Sequence, residues 1–146
     1  MSKIKSVGLS LKNNIRDIQG KAVAGVKPTI CVSPVPLTLD GYQVGFENNG
    51  VNCPGLSCVT VQARCAGANQ GPIVTYNIPQ DFFFSPVPAS FQFNTLGAGV
   101  SANRVLTVQG FNTPNHYYYR MCVSTSGDVK ECGYKKGDPP PTCSCP

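Results

Sequence analysis

The sequence predicts an all-β protein: a disulfide-stapled, jelly-roll-like β-sandwich with an N-terminal extension that is helical in part. Three observations favour this fold class. Charged residues make up only 13% of the 146 residues, whereas an ordinary soluble domain has about 25%. Gly and Pro contribute 15 and 13 residues, and the turn signals they form separate short alternating segments. Eight cysteines form an even set for disulfides.

The N-terminal arm, residues 1–26, combines charge with a helical pattern. Residues 1–27 hold six of the 12 Lys and Arg residues and one of the seven acids, so they account for the whole net charge of +5. Within the arm, apolar residues recur at helical spacings of three and four: Ile4, Val7, Leu11, Ile15 and Ile18. Gly8 and Gly20 weaken the predicted helix.

We expect this apolar stripe to be a subunit-docking surface that binds a neighbouring copy. Residues 27–136 already contain enough predicted strands for a sandwich, and an apolar stripe must be buried somewhere. Two alternatives stay open. The helix packs on its own body, or its basic face contacts a membrane surface.

The sandwich is assigned to residues 27–136, where the pattern becomes β. Pro34 and Pro36 interrupt two short extended pieces, 29–32 and 35–39. Asn49-Gly50 predicts a two-residue hairpin turn, and the loop 126–128 predicts the last hairpin. The remaining strands are predicted at 42–47, 57–63, 73–78, 82–85, 90–94, 104–111, 117–124 and 129–134.

All eight cysteines lie outside the arm, and we expect them to form disulfides in an oxidising compartment. A zinc site needs two closely spaced ligand pairs. Here the pairs are spaced Cys-x4-Cys and Cys-x-Cys, and the single His116 has no nearby partner. We therefore expect no metal and no cofactor. The disulfide candidates are Cys31, Cys53, Cys58, Cys65, Cys122, Cys132, Cys143 and Cys145.

Three expectations concern cysteine pairing. A three-residue loop at 126–128 places Cys122 directly opposite Cys132, within reach of a disulfide. Cys58 and Cys65 should not bond each other, because seven strand residues separate them by roughly 23 Å, so each needs a distant partner. The tail, residues 137–146, contains three consecutive prolines and should be extended. At least one of Cys143 and Cys145 should tie it to a β body.

The sequence contains no complete catalytic signature, so we expect neither an enzyme nor a small-molecule substrate. His116 is the only histidine, and the acids of the body lie near predicted turns. Phe82-Phe83-Phe84 and Tyr117-Tyr118-Tyr119 place aromatic rings on both faces of their strands. One face suits the core, and the other suits a subunit contact or a sugar.

No apolar stretch of residues 1–25 has the length of a secretory h-region. The disulfides predict a location outside the cell or on a cell or spore surface. We therefore expect the chain to reach it by a route that does not use a recognisable signal peptide. In layout, a leaderless arm followed by a cysteine-rich β body, the chain resembles the jelly-roll subunits of bacterial spore appendages. The resemblance implies polymerisation through an N-terminal connector. That family's connector carries cysteines, whereas residues 1–30 here carry none.

Together these features predict a structural subunit. It would self-assemble with copies of itself into an extracellular filament, appendage or surface layer through its arm and β-edge contacts. The alternatives are an adhesin or lectin-like binding module and a basic-armed virion coat protein. Nucleic acid is not the expected partner, because six cations neutralise only about six phosphates and such arms are usually richer in Arg.

Overall fold

The computed structural model describes residues 2–25, 31, 38–95, 99–110 and 117–136. One helix, α1, covers Ser2–Ala24. The strands are β1 Leu39–Asn48, β2 Ser57–Cys65, β3 Ala68–Ile78, β4 Phe82–Phe84, β5 Phe91–Asn94, β6 Arg104–Gly110, β7 Tyr117–Val123 and β8 Val129–Lys136.

The strands form two four-stranded antiparallel sheets, so the expectation of a mostly β protein is confirmed. The first sheet has the order β3-β2-β1-β5, and the second has the order β4-β6-β7-β8. In the first sheet, the consecutive strands β1, β2 and β3 are neighbours, and β5 pairs with β1 at the edge. In the second sheet, the consecutive strands β6, β7 and β8 are neighbours, and β4 pairs with β6 at the edge. The jelly-roll order is not confirmed by this arrangement.

The hairpin between β1 and β2 is longer than predicted. Asn48 pairs with Ser57, so residues 49–56 form the loop, and the expected two-residue turn at Asn49-Gly50 is wrong. The two-residue turn instead joins β2 to β3 at Ala66-Gly67, where both residues have positive φ, 52° and 79°. Positive φ at both positions is the requirement of a type I′ turn, whose twist matches antiparallel strands.

The apolar stripe of α1 is buried within its own chain. The helix contacts β6, β7 and β8 of the second sheet and β1, β3 and β5 of the first. The stripe belongs to the same core cluster as the strands. Its side chains are at most 5% exposed: Ile4, Val7, Leu11, Ile15, Ile18 and Ala22.

This burial corrects the prediction that the stripe is a subunit-docking arm. Each fully buried aliphatic side chain contributes roughly 1.5–3 kcal/mol, so five contribute about 10 kcal/mol of gross hydrophobic stabilisation. That is comparable with the net stability of a whole domain, about 5–15 kcal/mol. The helix is therefore part of the core, and the alternative of packing on its own body is the one observed.

Gly8 lets the helix approach β7 closely. A Cβ atom added at this position would overlap the ring of Tyr119, which is fully buried in the core. At the same end of the helix, Lys3 places its Nζ 5.8 Å from the ring centroid of Phe82 in β4, a cation–π distance. The glycine that weakens the helix in the sequence pattern is thus required by its packing.

The two sheets meet at β1 and β4. Phe46 and Phe84 stack edge to face, with ring centroids 5.2 Å apart. Beside them, Asn48 Nδ2 donates to Phe84 O at 2.8 Å, and Asn48 Oδ1 accepts from Phe84 N at 2.9 Å. Ser57 Oγ also donates to Asn48 Oδ1, at 2.7 Å. The amide of Asn48 therefore makes hydrogen bonds with both the N–H and the C=O of Phe84, as the backbone of a neighbouring strand would.

We predict that Gly8→Ala and Gly20→Ala change stability in opposite directions. The added methyl group at Gly8 must displace the Tyr119 ring, and overpacking of this kind costs about 1–3 kcal/mol. Nothing lies within 4 Å of a Cβ at Gly20, so there alanine should stabilise the helix by up to about 1 kcal/mol. Urea denaturation of both variants checks the pair. Equal effects would contradict the close approach at Gly8.

Candidate functional site

Two disulfides lie within the described residues. Cys31 bonds Cys65, at a Cα–Cα distance of 6.0 Å, and anchors a point 34 residues upstream to the end of β2. Cys53 bonds Cys58 across five residues and braces the β1–β2 loop. Cys58 and Cys65 do not bond each other, as predicted. The partner of Cys58 is local, however, so the expectation of a distant partner holds for Cys65 alone.

The register of the last hairpin places Cys122 opposite Lys130 instead of Cys132. Val123 pairs with Val129, so the loop has five residues rather than three, and Cys132 lies at a bulge beyond Glu131. The predicted alignment of Cys122 with Cys132 is therefore wrong. Both are nevertheless disulfide-bonded. His116, Cys143, Cys145 and the tail lie outside the described residues.

One cluster of metal-ligating side chains lies in the described part of the chain. An oxygen of Glu47 and the sulfurs of Cys53 and Cys58 lie within 4.8 Å of one another. Both sulfurs are already in their disulfide, and Glu47 accepts hydrogen bonds from the backbone and side chain of Asn52. These bonds make the cluster a brace of the loop.

A buried tyrosine links the helix to β8. Tyr119 Oη donates to Glu131 Oε2 at 3.0 Å, and Arg16 of the helix donates to the backbone oxygen of Val129 at 3.3 Å. Burial raises the pKa of Tyr119 well above its ordinary value of 10.0; the Glu131 charge and hydrogen bond add to this, and Arg16 opposes it. The phenol therefore stays protonated and acts as a structural donor.

The phenylalanine triplet alternates in burial as predicted, whereas the tyrosine triplet does not. Phe82 and Phe84 are buried and Phe83 is half-buried, whereas Tyr119 is buried and Tyr117 and Tyr118 are half-buried.

Within the described residues, α1 is too polar and too charged to cross a membrane. Its cations lie largely on the exposed face opposite the stripe.

The edge of the first sheet formed by β3 is long and uncharged. β3 pairs only with β2, and none of its 11 residues is charged. The backbone N–H and C=O groups of alternate edge residues point away from the neighbouring strand. Ile73 and Val74 are 44% and 51% exposed. An edge of this composition is a template for another strand.

Only one half of β3 is protected. The register with β2 shifts between Val61 and Ala63, where Gly71 has a φ of 77° and Pro72 follows. A bulge and a proline are the usual devices that discourage pairing at an edge. Residues 74–78 pair regularly with β2 as far as Ile78, and residues 73–78 carry neither device.

A small apolar groove lies beside this segment. It has a volume of about 130 Å³, and Val61, Val74, Tyr42 and Tyr76 line it together with Ala63, Pro72 and Lys21. Burial raises the pKa of Tyr42, and the positive charge of Lys21 opposes the shift. The groove is large enough for one side chain and lies on the face that β3 shares with the core. We refer to β3 and this groove as the β3 edge.

No protein-family model matches the chain, and no curated protein or solved structure is significantly similar to it. The β3 edge was missed by the sequence analysis, which placed a strand at 73–78 without assigning it to an edge. The absence of charge in this strand was visible in the sequence. Its position in the sheet was not.

Removal of the Tyr119 hydroxyl should flatten the stability profile at high pH. The unfolded state releases this proton near pH 10 and the folded state holds it, so stability is full below pH 10 and falls as the pH rises further. Each proton contributes a slope of about 1.4 kcal/mol per pH unit. Urea denaturation between pH 9 and 11 should show a shallower decline for Tyr119→Phe than for Tyr118→Phe. Equal slopes would contradict the assignment.

We also predict that the tail cysteines bond Cys122 or Cys132. Both of these residues are in disulfides, but the strand register places Cys122 opposite Lys130 and not opposite Cys132. Four of the other six cysteines are already paired with each other. Non-reducing proteolysis with mass spectrometry should recover peptides that join β7 or β8 to residues 137–146. Recovery of a Cys122–Cys132 bond, with free thiols at Cys143 and Cys145, would refute the prediction.

Proposed function

We propose that this chain is a disulfide-stabilised structural subunit that associates with copies of itself through the β3 edge. The observation that carries the proposal is an 11-residue, uncharged edge strand with exposed Ile73 and Val74. Disulfides at Cys31–Cys65 and Cys53–Cys58 support a place of action in an oxidising compartment, outside the cell or at its surface.

A second copy is the occupant that the composition of β3 favours. Antiparallel pairing about a two-fold axis places each strand beside the same strand of the second copy. Charged residues in the strand would then face like charges, which would oppose the pairing. β3 has none. The other sheet edges suit such pairing less well, because β4 and β5 have three and four residues, and β8 carries Lys130 and Lys135.

Association through β3 would also cover the groove. Pairing of two copies through residues 73–78 extends the first sheet to eight strands and brings a partner side chain near Tyr42 and Tyr76. Burial of Ile73 and Val74 at this seam would add apolar area to the backbone hydrogen bonds. Affinity would then come from the main chain and selectivity from the groove.

An extracellular filament, appendage or surface layer needs more than this contact. A two-fold pairing closes at a dimer, and an open polymer requires a second, different interface. Within the described residues, the remaining edges are β4, β5 and β8. Since the helical stripe is buried in its own core, the second contact is assigned to these edges and not to the arm.

The proposal is tested by placing a charge on the edge. Wild-type protein should dimerise or polymerise in sedimentation velocity, and Val74→Lys should remain monomeric because a lysine resists strand addition. Val51→Lys is the matched control, since Val51 is a loop residue that is 93% exposed; it should behave as wild type. A mixture of Val74→Lys and Val74→Glu should associate where each alone does not. A monomeric wild type, or unchanged association of Val74→Lys, would refute the proposal.

A further inference from the structure

The hairpin of β1 and β2 brings three metal-ligating side chains together at its loop. Glu47 of β1 pairs directly with Cys58 of β2, and directly opposed residues lie on the same face with Cβ atoms about 4.5–5.5 Å apart. Cys53 of the loop folds back onto this pair, so that one carboxylate oxygen and both sulfurs lie within 4.8 Å of one another. Two thiolates and a carboxylate are a donor set that suits Zn²⁺.

The oxidation state of the two cysteines decides whether this donor set is available. In the oxidised protein the two sulfurs are bonded to each other, and the form of cysteine that binds metal is the thiolate. Before a chain reaches an oxidising compartment its thiols are kept reduced. In that state the loop lacks its covalent brace, and all three ligands can bind one ion.

The backbone of the loop holds Cys53 beside Cys58 without help from the disulfide. Asn49 N donates to Leu56 O at 2.8 Å, Leu56 N donates to Cys53 O at 3.0 Å, and Cys53 N donates to Gly50 O at 3.3 Å. Two sulfurs on one tetrahedral zinc lie about 3.8 Å apart, given Zn–S bonds of about 2.3 Å. Since the Cα atoms are 6.2 Å apart, rotation of the cysteine side chains can supply this separation.

The carboxylate of Glu47 is already oriented as a ligand. Asn52 N donates to Glu47 Oε1 at 3.0 Å, and Asn52 Nδ2 donates to Glu47 Oε2. Each carboxylate oxygen can accept two hydrogen bonds, so each keeps a lone pair for a metal. Hydrogen bonds of this kind fix the carboxylate ligands of metal sites. Asn52 is therefore a positioning residue, and Gly50 leaves the space, because a Cβ atom there would overlap Glu47 Oε1.

We infer that the β1–β2 loop binds Zn²⁺ while Cys53 and Cys58 are reduced, and that their disulfide replaces the metal on oxidation. Binding releases the two thiol protons, Glu47 supplies the third ligand, and water takes the fourth position. On oxidation by a small disulfide, the S–S bond of the oxidant breaks to give two thiolates, which take up two protons. The Cys53–Cys58 bond forms, and Zn²⁺ leaves.

The consequence is a loop that keeps one shape in both redox states. The sequence analysis expected no zinc site, because Cys-x4-Cys has no second ligand pair along the chain. Glu47 was missed because its place beside Cys58 depends on the strand register. The site involves β1, β2 and their loop, and none of its ligands belongs to the β3 edge, so it is independent of association through that edge.

The test is zinc binding by the full chain, kept reduced with a phosphine in the absence of oxygen. Native mass spectrometry counts the Zn²⁺ ions per chain as Zn²⁺ is added. Wild type should bind one ion more than the double variant Cys53→Ser/Cys58→Ser, and this comparison cancels zinc held by other cysteines. Glu47→Gln should weaken the additional site by at least about tenfold, because an amide oxygen carries no charge.

The matched control is Asp40→Asn, which should bind zinc as wild type does. Asp40 is the other acid of β1, and it accepts from a backbone N–H, that of Gly67, at 2.7 Å. Circular dichroism of each reduced protein with Zn²⁺ checks that the sheets have formed. The inference is overturned if wild type and the double-serine variant bind equal numbers of ions, if Glu47→Gln binds as wild type, or if the reduced chain stays unfolded with Zn²⁺. Sedimentation of the oxidised protein tests the β3 edge, so the two proposals can fail separately.

Discussion

The burial of the helix against both sheets is the constraint on which the rest of this structure depends. Within the described residues the sheets contact each other directly around β4, and α1 packs against strands of both. Ile15 and Ile18 are fully buried there. Without the helix, the inner faces of both sheets would expose apolar surface to water, and this exposure costs roughly 25 cal/mol of free energy per Å². The N-terminal helix is thus part of the core, and its cations lie on the face of the helix that is exposed to solvent.

A second set of interactions closes the structure where the helix does not reach. Asn48 bonds both backbone groups of Phe84 beside the contact of Phe46 with Phe84. If this partly buried amide lost one of these partners, a polar group would be left unsatisfied, and leaving such a group unsatisfied costs up to about 1–3 kcal/mol when it is fully buried. The seam joins the end of β1, next to the hairpin loop, to β4.

These constraints separate the surfaces that are free to act from those that are not. The helical stripe is buried in the core, whereas strand β3 has strand-forming residues and no charge. The β1–β2 loop is braced by the Cys53–Cys58 disulfide.

The sequence by itself determined the local features: the strands of the body, the helical spacing from Ile4 to Ile18, and the use of cysteine for disulfides. These follow from side-chain periodicity and composition, which act over a few residues. Tertiary structure alone decided the partner of the helical stripe, the register that separates Cys122 from Cys132, and the position of β3 at an edge. Each of these depends on contacts between distant segments. Periodicity shows that a face is buried, but only the packed chain determines what buries it.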